Sequence, residues 1–499
     1  MDDQSPLYDT LIIGGGINGT GIARDAAGRG LKVLLCEQDD LANHTSSAST
    51  KLIHGGLRYL ELGEFRLVSK ALKEREVLLK AAPHIIWPLR FVLPHEPHLR
   101  PTWMIRAGLF LYDHLARRDV LPPSESINLA THRFGSPLQA AQRTGFVYSD
   151  AWVDDARLVV VNALDAHERG ARILPRTRCV GLNSDHSIWI ASLQAADGSI
   201  QKVRARSVIN AAGPWVTRFL NTYTSIRAHH AVRLVRGSHI VVPKLFEHEA
   251  AYIFQNVDGR IVFAVPYEQH FTLIGTTDVD DQSDPTHPHI SSEETNYLCT
   301  LASHYFKQSI TPTDVIFSYS GVRPLLQDES SDPKSVTRDY DLEWSCDSPP
   351  LMSVFGGKLT TYRRLAEDVL ALLQKKLGHR GAPWTAQATL PGADSIQGDF
   401  RQFADATRLR YAHAPSELIE RLIRTYGTRL LHWWADTEPL SALGPEVLPG
   451  LYAAEIQYLR KVEWATTAED ILWRRTKLGL HLEPSAVNRL DQWLIHNPI

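Results

Sequence analysis

Apolar runs bounded by glycine or polar residues recur along the chain, and they predict strands buried on both faces at 8–13, 32–37, from 207 onward and at 351–355. Between the first two, residues 22–27 form an alanine-rich helical stretch that ends near Gly28 and Gly30. The pattern changes over 227–280, where short apolar segments at 239–242, 260–265 and 271–274 are separated by polar turns, as in an antiparallel sheet. After 390–392 it changes again: Leu418, Leu422, Ile423 and Tyr426 share one helical face before Gly427, and Thr466 with Glu469 predicts a capping box ahead of 471–474. There is no internal repeat and no long low-complexity linker.

Composition narrows the class. A chain of 499 residues, 43% hydrophobic and 22% charged, can bury a large core and divides into two or three domains. A net charge of -3 supplies no general attraction for nucleic acid, so none is expected as a partner. Cys36, Cys179, Cys299 and Cys346 show neither CxxC nor metal-ligand spacing, which predicts no metal site and a reducing, cytoplasmic setting. The start, with Asp2 and Asp3 running into a strand, has no basic leader pattern. No apolar stretch approaches the roughly 18 to 20 residues that span a bilayer, so membrane contact would be peripheral.

The sharpest chemical signal is Gly14-Gly15-Gly16-Ile17-Asn18-Gly19, a GxGxxG between a strand and a helix. Gly14 makes the tight turn, Gly16 lets the backbone approach a pyrophosphate, and Gly19 allows close helix-to-strand packing. The helix N-terminus then presents N–H groups and positive dipole to phosphates. Glu37 closes the second strand 18 residues after Gly19, where a carboxylate accepts bonds from an adenosine ribose and repels a 2'-phosphate. A chain built for NAD would continue with further βαβ units. This one enters Thr45, Ser46, Ser47, Lys51, Gly55 and Gly56, a stretch with little bulk that lets a flat ring approach the backbone, which selects FAD. Ala212 and Gly213 after one strand, and Gly356, Gly357, Leu359 and Thr360 after another, add two more cofactor-facing turns.

Residues 13–30 and 356–366 resemble the two signatures of FAD-dependent glycerol-3-phosphate dehydrogenases. HGGLRYLE (54–61), YSDAWVDDARL (148–158), GSHIVVP (237–243), GTTD (275–278), YSGVRPL (319–325) and LWRRTKLGL (472–480) extend the likeness over nearly the whole chain. The resemblance implies an α/β fold, α+β overall: a glutathione-reductase-type FAD domain (1–75, 148–222, 345–388), an inserted antiparallel-sheet substrate domain (76–147, 223–344) and a helical C-terminal cap (389–499).

It also implies oxidation of glycerol 3-phosphate to dihydroxyacetone phosphate, with hydride passing to flavin N5. That reaction needs a base and positive charge for a dianion. Arg58 and Lys358 are expected to bind the phosphate, with Arg338 a third candidate. Arg323 would polarise the substrate oxygen, and His239 is the first choice of base with His54 the second. The family passes electrons to a membrane quinone, which implies a peripheral place on the inner face of the cytoplasmic membrane. Segment 100–118, with four arginines, Trp103 and Phe110, reads either as an interfacial helix or as a helix of the core. A basic cluster at Arg474, Arg475 and Lys477 is a second candidate surface, and a homodimer stays open. The competing functions are an oxidase that returns electrons to oxygen, a flavin amino-acid oxidase and a non-catalytic lipid-surface protein.

Overall fold

The computed structural model describes residues 6–96, 98–139, 143–228, 230, 232–256, 258–326, 339–396, 399–435 and 437–498. Thr10–Ile13 and Val33–Cys36 are buried at every position because they sit inside a six-stranded sheet covered on both sides. Its order is Asp341–Asp347, Pro350–Phe355, Val208–Asn210, Thr10–Ile13, Val33–Cys36, Arg172–Leu174, with only the first strand antiparallel to its neighbour. Alternate side chains of one strand serve opposite cores. Ile12 packs with the helices Ile17–Gly28, Asp155–Glu168 and Tyr362–Leu377, while Leu11 and Ile13 pack with Trp189, Leu193 and Val203 of a four-stranded sheet. Each fully buried leucine here contributes roughly 1.5 to 3 kcal/mol relative to exposure.

A second, ten-stranded sheet contains the short apolar segments at 239–242, 260–265 and 271–274. In Val232–Pro243, Ile240 and Val242 enter the core under the Ser292–Tyr305 helix, whereas Val241 enters the core shared with Leu72, Leu109 and Tyr112. The Ser292–Tyr305 helix starts with a full capping box between Ser291 and Glu294.

Strands of this sheet come from both sides of the domain limits expected from the sequence, and three of those limits coincide with elements of structure. Leu52–Ile53 pairs with Thr144–Val153 inside it. The limits at 75/76, 147/148 and 344/345 therefore fall within the Phe65–Ala81 helix, the Thr144–Val153 strand and the Asp341–Asp347 strand. The cause is physical: the substrate-side sheet recruits strands from the chain that leads into and out of the cofactor loops, so no linker separates them.

The C-terminal region has its own core, enclosed by Phe400–Arg410, Ser416–Tyr426, Ala453–Val462 and Ser485–His496, and Leu418, Leu422, Ile423 and Tyr426 all point into it. The expected capping partner is corrected. Asp470, not Glu469, accepts the N–H groups of Thr466 (2.7 Å) and Thr467 (3.0 Å). The reason is burial: Asp470 is enclosed by arginines, while Glu469 is largely exposed.

Candidate active site

At the carboxyl ends of Thr10–Ile13, Val208–Asn210 and Pro350–Phe355 the chain opens into a cleft of about 420 Å³. Gly14 turns the first strand into the helix at φ +111°, and a Cβ there would lie 2.4 Å from the Ala211 carbonyl oxygen. A Cβ at Gly19 would lie 1.9 Å from the Gly14 carbonyl oxygen, which is why helix and turn can close on each other. The Ile17–Gly28 helix has glycine at its N-cap and no acid in its first turn, and its Ile17 N–H donates to the Ser46 hydroxyl (3.0 Å). The positive dipole of this end faces the cleft with no carboxylate of its own first turn against it.

The wall includes Gly14, Gly16, Asn18, Glu37, Thr45, Ser46, Gly56, Ala212, Gly213, Gly356, Gly357, Leu359 and Thr360. Asn18 joins the first and last of these turns: Nδ2 donates to the Gly356 carbonyl (3.1 Å), leaving a buried Oδ1 without a protein partner. Glu37 receives the Gly15 N–H (2.6 Å) and the Asp39 N–H (2.9 Å), one on each carboxylate oxygen. Each oxygen keeps a further acceptor site for a ribose hydroxyl. Burial pushes the Glu37 carboxyl above its usual range, partly offset by those two N–H groups. Glycine turns, a helix end without an acidic first turn, an orphaned acceptor and a ribose-type carboxylate together fit FAD.

Four of the expected cofactor residues are not on this wall. Gly19 lies behind the turn it permits. Gly55 donates its N–H to the Tyr112 hydroxyl (2.9 Å), and Ser47 gives its carbonyl to Lys51 Nζ (3.1 Å). Lys51 itself is buried and paired with Asp155 (2.8 Å). These residues shape the loop from behind, where small size and hydroxyl groups are also wanted, so the pattern alone does not separate the two layers.

The cleft wall also carries His54, Arg58, Arg323 and Lys358. Lys358 Nζ stands 4.2 Å over the Tyr59 ring, next in sequence to Arg58. Arg323 is held by Asp278 and by Thr276 Oγ1 (3.2 Å). The His54 ring meets Phe263 edge to face at 6.3 Å, and its backbone N–H donates to Thr360 Oγ1 (3.2 Å). Arg338 lies outside the described residues.

His239 is not in the cleft wall. It is fully buried, stacked on Tyr319 at 4.9 Å, and reaches the wall only through Thr50, whose Oγ1 is 2.9 Å from Nε2. Burial, followed by the Arg323 and Lys51 charges, holds its imidazole well below the usual range, so it is neutral. Thr50, Tyr59 and Asp278 belong to the site and were not singled out by sequence. Tyr59 and Asp278 could have been found as the polar neighbours of Arg58 and of Thr276–Thr277, whereas nothing local marks Thr50.

Fold and cleft define an FAD-dependent oxidoreductase. The family described as FAD dependent oxidoreductase matches residues 9–363, and the family described as C-terminal domain of alpha-glycerophosphate oxidase matches 383–493. The glycerol-3-phosphate dehydrogenase of Pseudomonas aeruginosa is 55% identical over 490 residues, 98% of this chain and 95% of that one. The D-erythritol 1-phosphate dehydrogenase of Brucella abortus is 48% identical over 488 residues, 97% of each. The crystal structure of the Bacillus halodurans glycerol-3-phosphate dehydrogenase complexed with FAD superposes with a TM-score of 0.78 at 26% identity, covering 99% of this chain and 91% of that one. The chain belongs to the FAD-dependent glycerol-3-phosphate dehydrogenase family.

Proposed function

We propose that the protein oxidises the secondary alcohol of sn-glycerol 3-phosphate to dihydroxyacetone phosphate and delivers the electrons to a membrane quinone. The observation that carries this reading is the presence of Arg58, Lys358 and Arg323 with His54 on the wall of an FAD cleft. Arg58 and Lys358 bind the phosphate dianion, with the Tyr59 ring keeping the ammonium at the wall. Arg323, fixed by Asp278 and Thr276, stabilises the oxygen as it becomes alkoxide. His54, whose imidazole is on the wall with the three cations, takes the hydroxyl proton, and the neutral His239 supports the site through Thr50. Bound FAD supplies the two-electron acceptor for the hydride that leaves the carbinol carbon.

The quinone reading is supported by an apolar surface at the cleft mouth. Leu62 lines the cleft and is 54% exposed, and Phe65, Trp103 and Phe110 expose 46%, 69% and 62%. Thr102–His114 packs against the Leu57–Leu60 turn that carries Arg58, so the interfacial helix and the site share one side. Among the described residues no helix is long and apolar enough to cross a membrane, so this contact is peripheral.

A second substrate, a four-carbon polyol phosphate, is favoured by the 48% identity to the erythritol phosphate enzyme. The two share the phosphate and the secondary alcohol. Anaerobic addition of glycerol 3-phosphate should bleach the flavin absorbance, with quinone restoring it and little peroxide formed in air. Bleaching by erythritol 1-phosphate with a higher kcat/KM would reassign the substrate, and stoichiometric peroxide would make the protein an oxidase.

A further inference from the structure

The basic cluster of the LWRRTKLGL segment does not face solvent. Arg474, Arg475 and Lys477 are all buried: the two arginines reach Asp40 in the loop between Glu37 and Lys51, and Lys477 reaches Asp154. Arg474 Nε (2.6 Å) and Arg475 Nη1 (2.8 Å) donate to one oxygen of Asp40, and Arg475 Nη2 (2.8 Å) to the other. Arg475 is also pinned to its own side, donating to the Glu463 carbonyl (2.8 Å). Asp470 completes the cluster by accepting from Arg474 (2.6 Å) and from Arg176 (2.7 Å).

Asp40 is three residues beyond Glu37 and is itself absent from the cleft wall. Ala42 and His44, two and four residues further on, are on the wall. Ala42 donates its N–H to the Gly15 carbonyl (3.3 Å), and His44 bonds Asp39 (2.8 Å) next to the Glu37 carboxylate. The far end of the same loop is held by a second contact: Lys477 Nζ reaches Asp154 (3.1 Å), the N-cap of Asp155–Glu168. The adjoining Asp155 accepts the Ser49 hydroxyl (2.7 Å) and Lys51 Nζ (2.8 Å).

We propose that the C-terminal helical region is a positioning element of the dinucleotide site. Arg474 and Arg475 fasten Asp40, Lys477 fastens Asp154 beside the Asp155 that holds Ser49 and Lys51, and the loop from Asp40 to Lys51 is thereby kept in the shape that meets FAD. Several fixed charges converge on one buried carboxylate, an arrangement that holds geometry more than it adds net stability. The cap therefore sets how tightly FAD is retained. This rests on FAD occupying the cleft and is independent of which polyol phosphate is oxidised.

The test uses the full chain, stripped of FAD and titrated back with FAD, following the quenching of flavin fluorescence. Asp40→Asn should weaken FAD binding by about tenfold or more, and Asp40→Glu should recover part of it. Activity lost at low FAD should return as FAD is added. Glu455→Gln is the comparison, because it breaks the buried pair with Arg421 inside the helical core (2.6 and 2.7 Å) without touching the loop. It should lower Tm yet leave FAD affinity within about twofold. If Asp40→Asn does not fold, Arg474→Lys keeps the charge, loses the fork, and should still weaken FAD by about threefold or more. Parent-like FAD affinity in the Asp40 or Arg474 variant, or an equal loss in Glu455→Gln, overturns the proposal. No substrate enters the titration, so the outcome does not depend on the proposed reaction.

Discussion

At Gly16 a Cβ would come 2.9 Å from Ser46 Oγ on the opposite lip of the cleft. Gly16→Val should fill that gap and yield folded, colourless protein; a full flavin spectrum would refute the placement. Glu37→Ala should weaken FAD by roughly 1.5 to 3 kcal/mol in a binding titration. On the substrate side, Lys358→Ala should cost roughly 1.5 to 3 kcal/mol in kcat/KM for glycerol 3-phosphate and hardly alter the slow reaction with glycerol. Equal losses on both would mean that Lys358 serves the flavin or the fold. For the proton, His54→Asn should lower kcat by about 100-fold or more and abolish a limb of the pH–rate profile, with a smaller effect from His239→Asn. The reverse order would return the base to His239. The two histidines also mark how far single residues are legible. Residue type and glycine neighbours bring both near the site, but which one touches solvent is set by strand pairing. His239 sits opposite Tyr319 in an antiparallel register, and its ring is covered by that partner.

Elements were legible where one period dominates. The parallel strands read as unbroken apolar runs because both their faces are covered, and Ile240–Val242 of Val232–Pro243 is apolar at every position because its two faces meet two different cores. Thr102–His114 was ambiguous for a related reason. Its apolar residues surround the helix, and only packing reveals that Leu109 and Tyr112 are buried while Trp103 and Phe110 are exposed. That exposure makes an interfacial role testable: binding to anionic vesicles should fall with added salt and fall further in Arg106→Glu combined with Phe110→Ser. Unchanged binding in a folded double variant would remove this element from the membrane face.

Across the whole molecule, acid stability should be set in part by His84. It is fully buried against Gly392 and Gly427, at the join between the cofactor region and the C-terminal region, and neither ring nitrogen has a protein partner. Burial, reinforced by Arg157 and Arg424, lowers its pKa from 6.5 to about 3. The unfolded chain therefore binds the proton more readily than the folded one. Stability is unaffected above the unfolded value and declines as pH drops below it toward the folded value, by up to about 1.4 kcal/mol per pH unit. Urea midpoints recorded from about pH 7 to about pH 4 should show this slope, and His84→Leu should flatten it; an unchanged slope would place the titration elsewhere. By itself the sequence determined the buried strands of the cofactor region, the FAD turn, and three of the cations that stand on the cleft wall, because these depend on spacing along the chain and on residue type. Tertiary structure alone decided which loop residues face the cofactor and which stand behind it, that His54 and not His239 lines the cleft, and that Arg474 and Arg475 are buried on Asp40. Those outcomes depend on contacts between residues hundreds of positions apart, as with Asp40 and Arg475 at a separation of 435, and no local pattern encodes which partner a buried charge will find.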